Sequence, residues 1–297
     1  MCIYERRQTP CLHERMAEGI YEHLTSEATE ETRSVYEALP AGSGEGHCPQ
    51  EAERGTARPG NKENKTMKRI MLKLSGEALA GAKKTGFDEE TVRGVALQVK
   101  QLVDDGIQVG IVIGGGNFWR GRSSENIDRT KADQIGMLAT VMNCIYVSEI
   151  FRSVGMMTNI LTPFECGSFT KLFSKDRANK YFEKGMVVFF AGGTGHPYFS
   201  TDTGVVLRAI EIEAEVILLA KAIDGVYDSD PAKNPDAKKF DEISIDDVVA
   251  KNLQVVDMTA SILARDNKMP MWVFGLNQEN SIVNTIKGEF NGTKVTV

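Results

Sequence analysis

Three glycine-rich segments each follow a short apolar run, and their residue types suit phosphate binding. Residues 73–76 (KLSG) end the run IMLKL, the triplet Gly114-Gly115-Gly116 follows VGIVI, and residues 191–202 (AGGTGHPYFSTD) follow VVFF. A turn without Cβ atoms lets backbone N–H groups approach a phosphate, and a following helix N-terminus adds a favourable dipole. Each turn alone could be a tight loop that needs a positive φ. Their conjunction at strand ends favours one phosphate-binding site.

Charged residues lie beside these turns. Lys73 interrupts an apolar run, where a lysine is costly to bury unless it is paired. It is either a surface lysine that reaches water or a cation at the carboxyl end of a parallel strand, where it would neutralise a transferring phosphoryl group. Arg120 and Arg122 follow the triplet and are placed to contact phosphate oxygens. Residues 224–231 (DGVYDSDP) form either a turn-rich surface loop or part of a binding site, with an aromatic side chain against a base and acidic side chains for a ribose or a metal.

Missing motifs exclude several other chemistries. The sequence has no GxxxxGKS/T, HRD or DFG motif, which excludes P-loop kinases and protein kinases. After Met67 the single histidine is His196, so neither a histidine-based catalytic triad nor a histidine metal site is expected. The five cysteines form no CxxC pair, so a reducing cytoplasm fits better than a zinc site or a disulfide framework. The remaining chemistry is phosphoryl transfer by positioning and electrostatics, without a covalent intermediate.

Strands and helices that alternate along the chain must position these residues. Apolar runs predict strands at 70–74, 109–113, 157–161, 186–191, 216–219 and 271–274. Helical spacing runs from Asp88 to Asp105, with Asp88 as the N-cap, and a mostly apolar helix over 131–153 is predicted to be buried or at a subunit interface. A further helix is expected after 191–202, capped by Thr201 or Asp202. This alternation predicts an α/β fold with a mostly parallel sheet covered on both faces.

Composition separates the first 66 residues from the rest. They hold 12 Glu, no Asp and 8 Lys and Arg, in a chain whose net charge is −6. We expect residues 1–66 to be a disordered extension, or the product of a start codon assigned too early, since Met67 opens the first strongly patterned segment. A regulatory tail is the functional alternative. Residues 67–297 are predicted to be the catalytic domain.

The charge and hydropathy patterns also exclude some locations and partners. No basic arm indicates nucleic-acid binding, and no apolar run approaches the roughly 18–20 residues of a membrane span. The first 24 residues lack the continuous apolar region of a secretory signal. We therefore expect a cytoplasmic protein that binds neither membranes nor nucleic acids.

Six segments, in order, resemble the bacterial uridylate kinases within the amino acid kinase family. They are KLSGEAL, VIGGGNFWRG, DQIGMLATVMN, AGGTGHPYFSTD, DGVYDSDP and TASILARDNKMPMWVF, and the likeness covers residues 67–297. The resemblance implies an αβα sandwich in one domain and a cytoplasmic homohexamer built from dimers. It implies ATP-dependent phosphorylation of UMP to UDP in pyrimidine nucleotide biosynthesis, with Mg²⁺ held largely through phosphates and water. It also implies candidate effectors, GTP as an activator and UTP as an inhibitor.

The resemblance further implies a role for individual residues. Its ATP contacts are Lys73, Leu74, Ser75, Gly76, Gly116, Arg120, Lys221, Tyr227 and Asp230. Its UMP contacts are Gly115, Asp133, Thr194, Gly195, His196, Pro197, Tyr198, Phe199, Ser200 and Thr201, with Asp133 on the ribose. Its catalytic residues are Lys73, Arg120 and Asp202. Lys73 would stabilise the transferring phosphoryl group, Arg120 would bind phosphate and Asp202 would orient catalytic cations, with no dedicated set of protein metal ligands.

Departures from the family pattern and rival functions remain open. Residues 220–223 (AKAI) differ from the usual segment before DGVY, His196 stands where many relatives carry Asn, and residues 81–87 match the segment linked to GTP activation poorly. One rival is an enzyme of the same fold that acts on a carboxylate, a carbamate or isopentenyl phosphate. Another is a nucleotide sensor that has lost catalysis. Asp133 and residues 194–202 favour a nucleoside monophosphate, and the three charged catalytic candidates favour an enzyme.

Overall fold

The computed structural model describes residues 67–83, 85–119, 126–253 and 255–297. The predicted N-terminal extension, Arg120 and Arg122 lie outside the described residues. The strands are β1 Arg69–Leu74, β2 Gln108–Ile113, β3 Thr158–Thr162, β4 Lys171–Leu172, β5 Val187–Phe190, β6 Val216–Lys221, β7 Val226–Tyr227, β8 Lys239–Phe240, β9 Glu242–Ser244, β10 Met271–Gly275 and β11 Gly292–Thr296. The helices are α1 Gly76–Ala80, α2 Glu89–Asp104, α3 Arg129–Ser153, α4 Lys175–Phe182, α5 Thr201–Glu211, α6 Ile245–Ala250, α7 Met258–Asp266 and α8 Ser281–Lys287, with a 3₁₀ turn at Gly81–Lys83.

Nine of these strands form one mostly parallel sheet in the order β4-β3-β5-β2-β1-β6-β10-β11-β9. Among the pairings within this sheet that the described residues show, only β10–β11 is antiparallel, so β11 and β9 run opposite to the other seven strands. A separate antiparallel pair joins β7 and β8. The three strands that precede the glycine turns, β1, β2 and β5, are neighbours in the sheet, so their carboxyl ends lie at one edge.

Alternation along the strands divides the core into two layers. Ile70, Leu72 and Leu74 pack into the core beneath α2, α3 and α8, while Met71 packs into the core beneath α4, α5, α6 and α7. Successive side chains of a strand point to opposite faces, so one short run supplies both layers. The predicted mostly parallel α/β sandwich is confirmed.

Side-chain caps fix where the site helices begin. Asp88 accepts a hydrogen bond from Thr91 N at the start of α2, as the sequence predicts. At α5 the predicted cap, Thr201 or Asp202, is wrong by one or two residues, because Ser200 is the N-cap and accepts from the backbone N–H groups of Asp202 and Thr203. A serine hydroxyl satisfies these first-turn donors. The side chain of Asp202 is therefore left for another contact.

The 25-residue helix α3 combines a core face with an exposed apolar face. By length and hydropathy alone it passes for a membrane-spanning helix. However, Cys144, Val147 and Phe151 pack into the protein core, and Asn143 is fully buried. It is a central helix of this fold, in agreement with the prediction of a buried or interface helix.

Candidate functional site

The glycine turns meet at the edge where β1, β2 and β5 end. A Cβ atom at Gly76 would lie 2.4 Å from the carbonyl oxygen of Gly114, so only glycine allows the first two turns to approach. In the third turn, Gly192, Gly193 and Gly195 have positive φ angles of 79°, 58° and 85°. L-residues rarely adopt this conformation. The expected convergence of the three turns is confirmed.

Lys73 is paired, as its place in an apolar strand requires. Its Nζ lies 2.9 Å from Asp202 Oδ1 on the first turn of α5, and the two side chains are 13% and 22% exposed. The surface-lysine alternative is therefore wrong. The contact is a close ion pair without hydrogen-bond alignment, because Asp202 Oδ1 is buried and has no aligned hydrogen bond among the described residues.

Lys221 adds a second ammonium group to this pair. It ends β6, the strand beside β1, and its Nζ donates a hydrogen bond to the carbonyl oxygen of Val255. Burial lowers the pKa of Lys221 to about 8, the carboxylate of Asp202 partly opposes this shift, and the ammonium of Lys73 adds to it. Two lysines thus flank one aspartate at the carboxyl edge of the sheet.

A cavity of about 530 Å³ opens beside this charged group. Ten of the predicted site residues line it: Gly115, Gly116, Asp133, Thr194, His196, Phe199, Ser200, Thr201, Asp202 and Lys221. Asp133 reaches it from α3, where its Oδ2 accepts hydrogen bonds from Arg129 Nε and from the backbone N–H of Tyr198, both at 2.8 Å. The cavity is therefore a polar cleft between α3 and the third glycine turn.

A second cavity, of about 490 Å³, is lined by Tyr227 and Asp230. It shares Lys221 and Val255 with the first cavity, so these two residues lie between the two spaces. The hydroxyl of Tyr227 donates to Asp224 Oδ1 at 2.8 Å, and this bond raises the pKa of Tyr227. The DGVYDSDP segment is thus part of a cavity wall and not only a surface turn.

Several predicted site residues line neither cavity. Among residues 73–76, the side chain of Leu74 is fully buried, and its carbonyl oxygen accepts from Gly114 N at 3.0 Å. Tyr198 is 66% exposed with φ 72°, and its backbone N–H, not its ring, reaches Asp133. The other predicted residues outside the two linings are Lys73, Ser75, Gly76, Gly195 and Pro197.

The structure also reveals site residues that the sequence did not indicate. Asp257 caps α7 by accepting from Ala260 N, and its Oδ2 accepts from the hydroxyls of Ser200 and Thr203. Thr140 and Trp119 line the first cavity. For Asp257 the sequence signal was an aspartate before a helix, which predicts a cap and nothing more. Trp119 and Thr140 lie in the segments VIGGGNFWRG and DQIGMLATVMN, but no role was predicted for either residue. Among the described residues, no group of three His, Cys, Asp or Glu could hold a metal ion.

The fold and this site match one family of phosphotransferases. The family model described as "Amino acid kinase family" matches residues 68–275. The chain belongs to the amino acid kinase family.

Among solved structures, this chain is similar to several that are named UMP or uridylate kinases. A UMP kinase from Bacillus anthracis is 37% identical over 77% of this chain and 96% of its own, with a TM-score of 0.74. A UMP kinase from Ureaplasma parvum is 34% identical over 78% of this chain and 99% of its own, with a TM-score of 0.74. A uridylate kinase from Archaeoglobus fulgidus is 25% identical over 76% of this chain and 99% of its own, with a TM-score of 0.59.

Proposed function

We propose that this protein transfers the γ-phosphate of ATP to UMP and releases UDP and ADP. The observation that carries the proposal is the Lys73–Asp202 pair at the edge of a cavity walled by Asp133 and the glycine turns. A carboxylate on α3 suits ribose hydroxyls, and the glycine turns suit a phosphate. The similar structures whose titles name UMP or uridylate kinases support the same acceptor.

The two cavities suggest where each nucleotide lies. UMP would occupy the first cavity, with its ribose at Asp133 and its phosphate towards Thr194. ATP would place its adenosine in the second cavity, against Tyr227 and Asp230. Since Lys221 lines both spaces, the phosphates would meet beside Lys221, Lys73 and Asp202. Such a layout puts the transferring group where the site's positive charges converge.

Each charged residue then has a separate task. Lys73 stabilises the negative charge that develops on the transferring phosphoryl group, and Asp202 holds its ammonium group in place. Arg120 contacts phosphate oxygens. Mg²⁺, when bound with ATP, supplies further charge neutralisation on the phosphates. Asp202 fits a role towards this cation, since its buried Oδ1 lacks an aligned hydrogen bond among the described residues.

The decisive experiment is a coupled assay of ADP release with ATP, Mg²⁺ and one of five acceptors: UMP, CMP, dUMP, glutamate or aspartate. Turnover with UMP well above the other acceptors is the expected result. Turnover with a carboxylate acceptor alone would place the chain elsewhere in its family. Binding of UMP without ADP release would favour the sensor function.

In the cell, the reaction would belong to pyrimidine nucleotide biosynthesis in the cytoplasm. We propose GTP as an activator and UTP as an inhibitor, and both can be added to the same assay at fixed ATP and UMP.

The lowered pKa of Lys221 predicts a pH dependence of ATP binding. In the free protein this amine loses its charge as pH rises through about 8, so we expect the KM for ATP to rise above that pH. A Lys221→Arg variant should show a flat KM over the same range, because arginine stays charged to about pH 12 or higher. The measurement is a series of initial rates on both sides of pH 8. An equal rise of KM in both proteins would contradict a contact between Lys221 and ATP.

The exposed face of α3 supports assembly of the chain with copies of itself. Four large apolar side chains on this helix are 39–52% exposed, and they form the α3 stripe: Ile135, Leu138, Met142 and Ile145. Lys131 and Glu149, both exposed, continue the stripe at its two ends. The six positions alternate spacings of four and three residues, which is the spacing of a seam between paired helices.

The α3 stripe is also symmetric in sequence about the position of Thr140. Leu138 lies as far before this point as Met142 lies after it, and Ile135 corresponds in the same way to Ile145. If two copies cross antiparallel here, apolar side chains meet apolar side chains, and the lysine at one end faces the glutamate of the second copy. A two-fold interface requires such self-complementarity. We propose that α3 forms the dimer contact of a homohexamer.

A further inference from the structure

The core face of α3 carries buried polar side chains that point at the glycine turns. Thr140 is 4% exposed and Asn143 is fully buried. They are three positions apart, so they lie on the same face of the helix. Polar groups are rarely buried without hydrogen bonds. The hydrogen-bond partners of Thr140 and Asn143 therefore show which segments this face of α3 holds in place.

Thr140 is bonded to the third glycine turn. Its Oγ1 accepts a hydrogen bond from the backbone N–H of Gly192 at 2.8 Å and donates to the carbonyl oxygen of Met137 at 2.7 Å. The turn is held from the other side by α5, where a Cβ atom at Gly204 would lie 3.1 Å from the backbone of Gly193. The hydroxyl thus fixes this left-handed turn between two helices.

Asn143 holds the second glycine turn from the same helix face. Its Nδ2 donates to the carbonyl oxygen of Gly114 and to Asn117 Oδ1, both at 2.7 Å. The amide of Asn117 in turn donates to the carbonyl oxygen of Gly86 at 2.8 Å. One helix face therefore sets the relative position of the turns after β2 and β5.

We propose that Thr140 is a positioning residue for the acceptor nucleotide. It acts through its hydrogen bond with the backbone N–H of Gly192 and does not itself take part in the reaction. The inference rests on the proposed function, in which Thr194 and the turn that contains it hold UMP. Gly192 precedes Thr194 by two residues, so release of its N–H would let the turn move relative to the Gly114–Gly116 turn. ATP, placed mainly against the second cavity, would be affected less.

Two variants that differ by the hydroxyl test the inference. Thr140→Val keeps the shape and removes the acceptor, whereas Thr140→Ser keeps the acceptor and removes a methyl group. At a temperature well below both melting transitions, we expect Thr140→Val to raise the KM for UMP about tenfold, as loss of one hydrogen bond implies. The KM for ATP should stay within about twofold, and Thr140→Ser should restore most of the UMP affinity.

A second measurement does not depend on turnover. Amide hydrogen exchange at Gly192, without ligands, should become about tenfold faster in Thr140→Val and stay near the parent value in Thr140→Ser. If the parent protein fails to phosphorylate UMP, the proposed function fails, and this exchange rate alone decides whether Thr140 holds the turn. Unchanged exchange in Thr140→Val would overturn the inference. In an active enzyme, equal rises of both KM values, or equal effects in both variants, would also overturn it.

Discussion

Replacing Lys73 by alanine should lower kcat for UDP formation about 10³-fold, as expected for the loss of a cation that stabilises a transferring phosphoryl group. The KM for UMP should change little, since the lost contact is made mainly in the transition state. Stability should fall as well, because Asp202 then lacks the ammonium group that lies 2.9 Å from its Oδ1.

Two further variants separate catalysis from stability. Lys73→Ala combined with Asp202→Asn also removes the carboxylate charge that has lost its closest ammonium group, and should recover part of the melting temperature but none of the activity. Lys175→Ala is the matched control, because Lys175 also forms an ion pair, with Glu213 at 2.6 Å, but on the surface away from both cavities. We expect it to keep the parent kcat. Near-normal turnover of folded Lys73→Ala would refute the catalytic role of this lysine.

Replacing Met142 by glutamate should break the proposed assembly into species of three chains or fewer. Met142 lies near the centre of the α3 stripe, and a charge placed in a desolvated apolar seam is strongly unfavourable without a partner. Sedimentation or light scattering measures the outcome against the chain mass of 32.7 kDa. The parent protein should sediment as a hexamer.

The matched control for this variant is Leu97→Glu on α2. Leu97 is 52% exposed and Met142 is 50% exposed, but only Met142 belongs to the α3 stripe. Leu97→Glu should therefore keep the parent mass. A Met142→Glu protein with the parent mass, or a parent protein that is already a monomer, would rule out the α3 contact.

Much of the site could be predicted from the sequence because its signals are local. Glycine turns after apolar runs depend on chain conformation within a few residues, and a lysine inside such a run predicts a partner wherever that partner lies. The carboxyl ends of neighbouring parallel strands lie at one edge of the sheet, so the convergence of the three glycine turns could be predicted. The cap of α5 was misplaced because Ser200, Thr201 and Asp202 are all good N-cap residues, and only the backbone path selects Ser200.

The sequence by itself determined six strands (β1, β2, β3, β5, β6 and β10), the helices α2, α3 and α5, the glycine turns and the need of Lys73 for a partner. The tertiary structure alone decided that this partner is Asp202, that burial lowers the pKa of Lys221, and that Asp257 joins Ser200. It also decided that Thr140 bonds to Gly192. The physical reason is that ion pairs, desolvation and side-chain hydrogen bonds depend on distances between segments far apart in the chain. Periodicity and turn chemistry act only between neighbours.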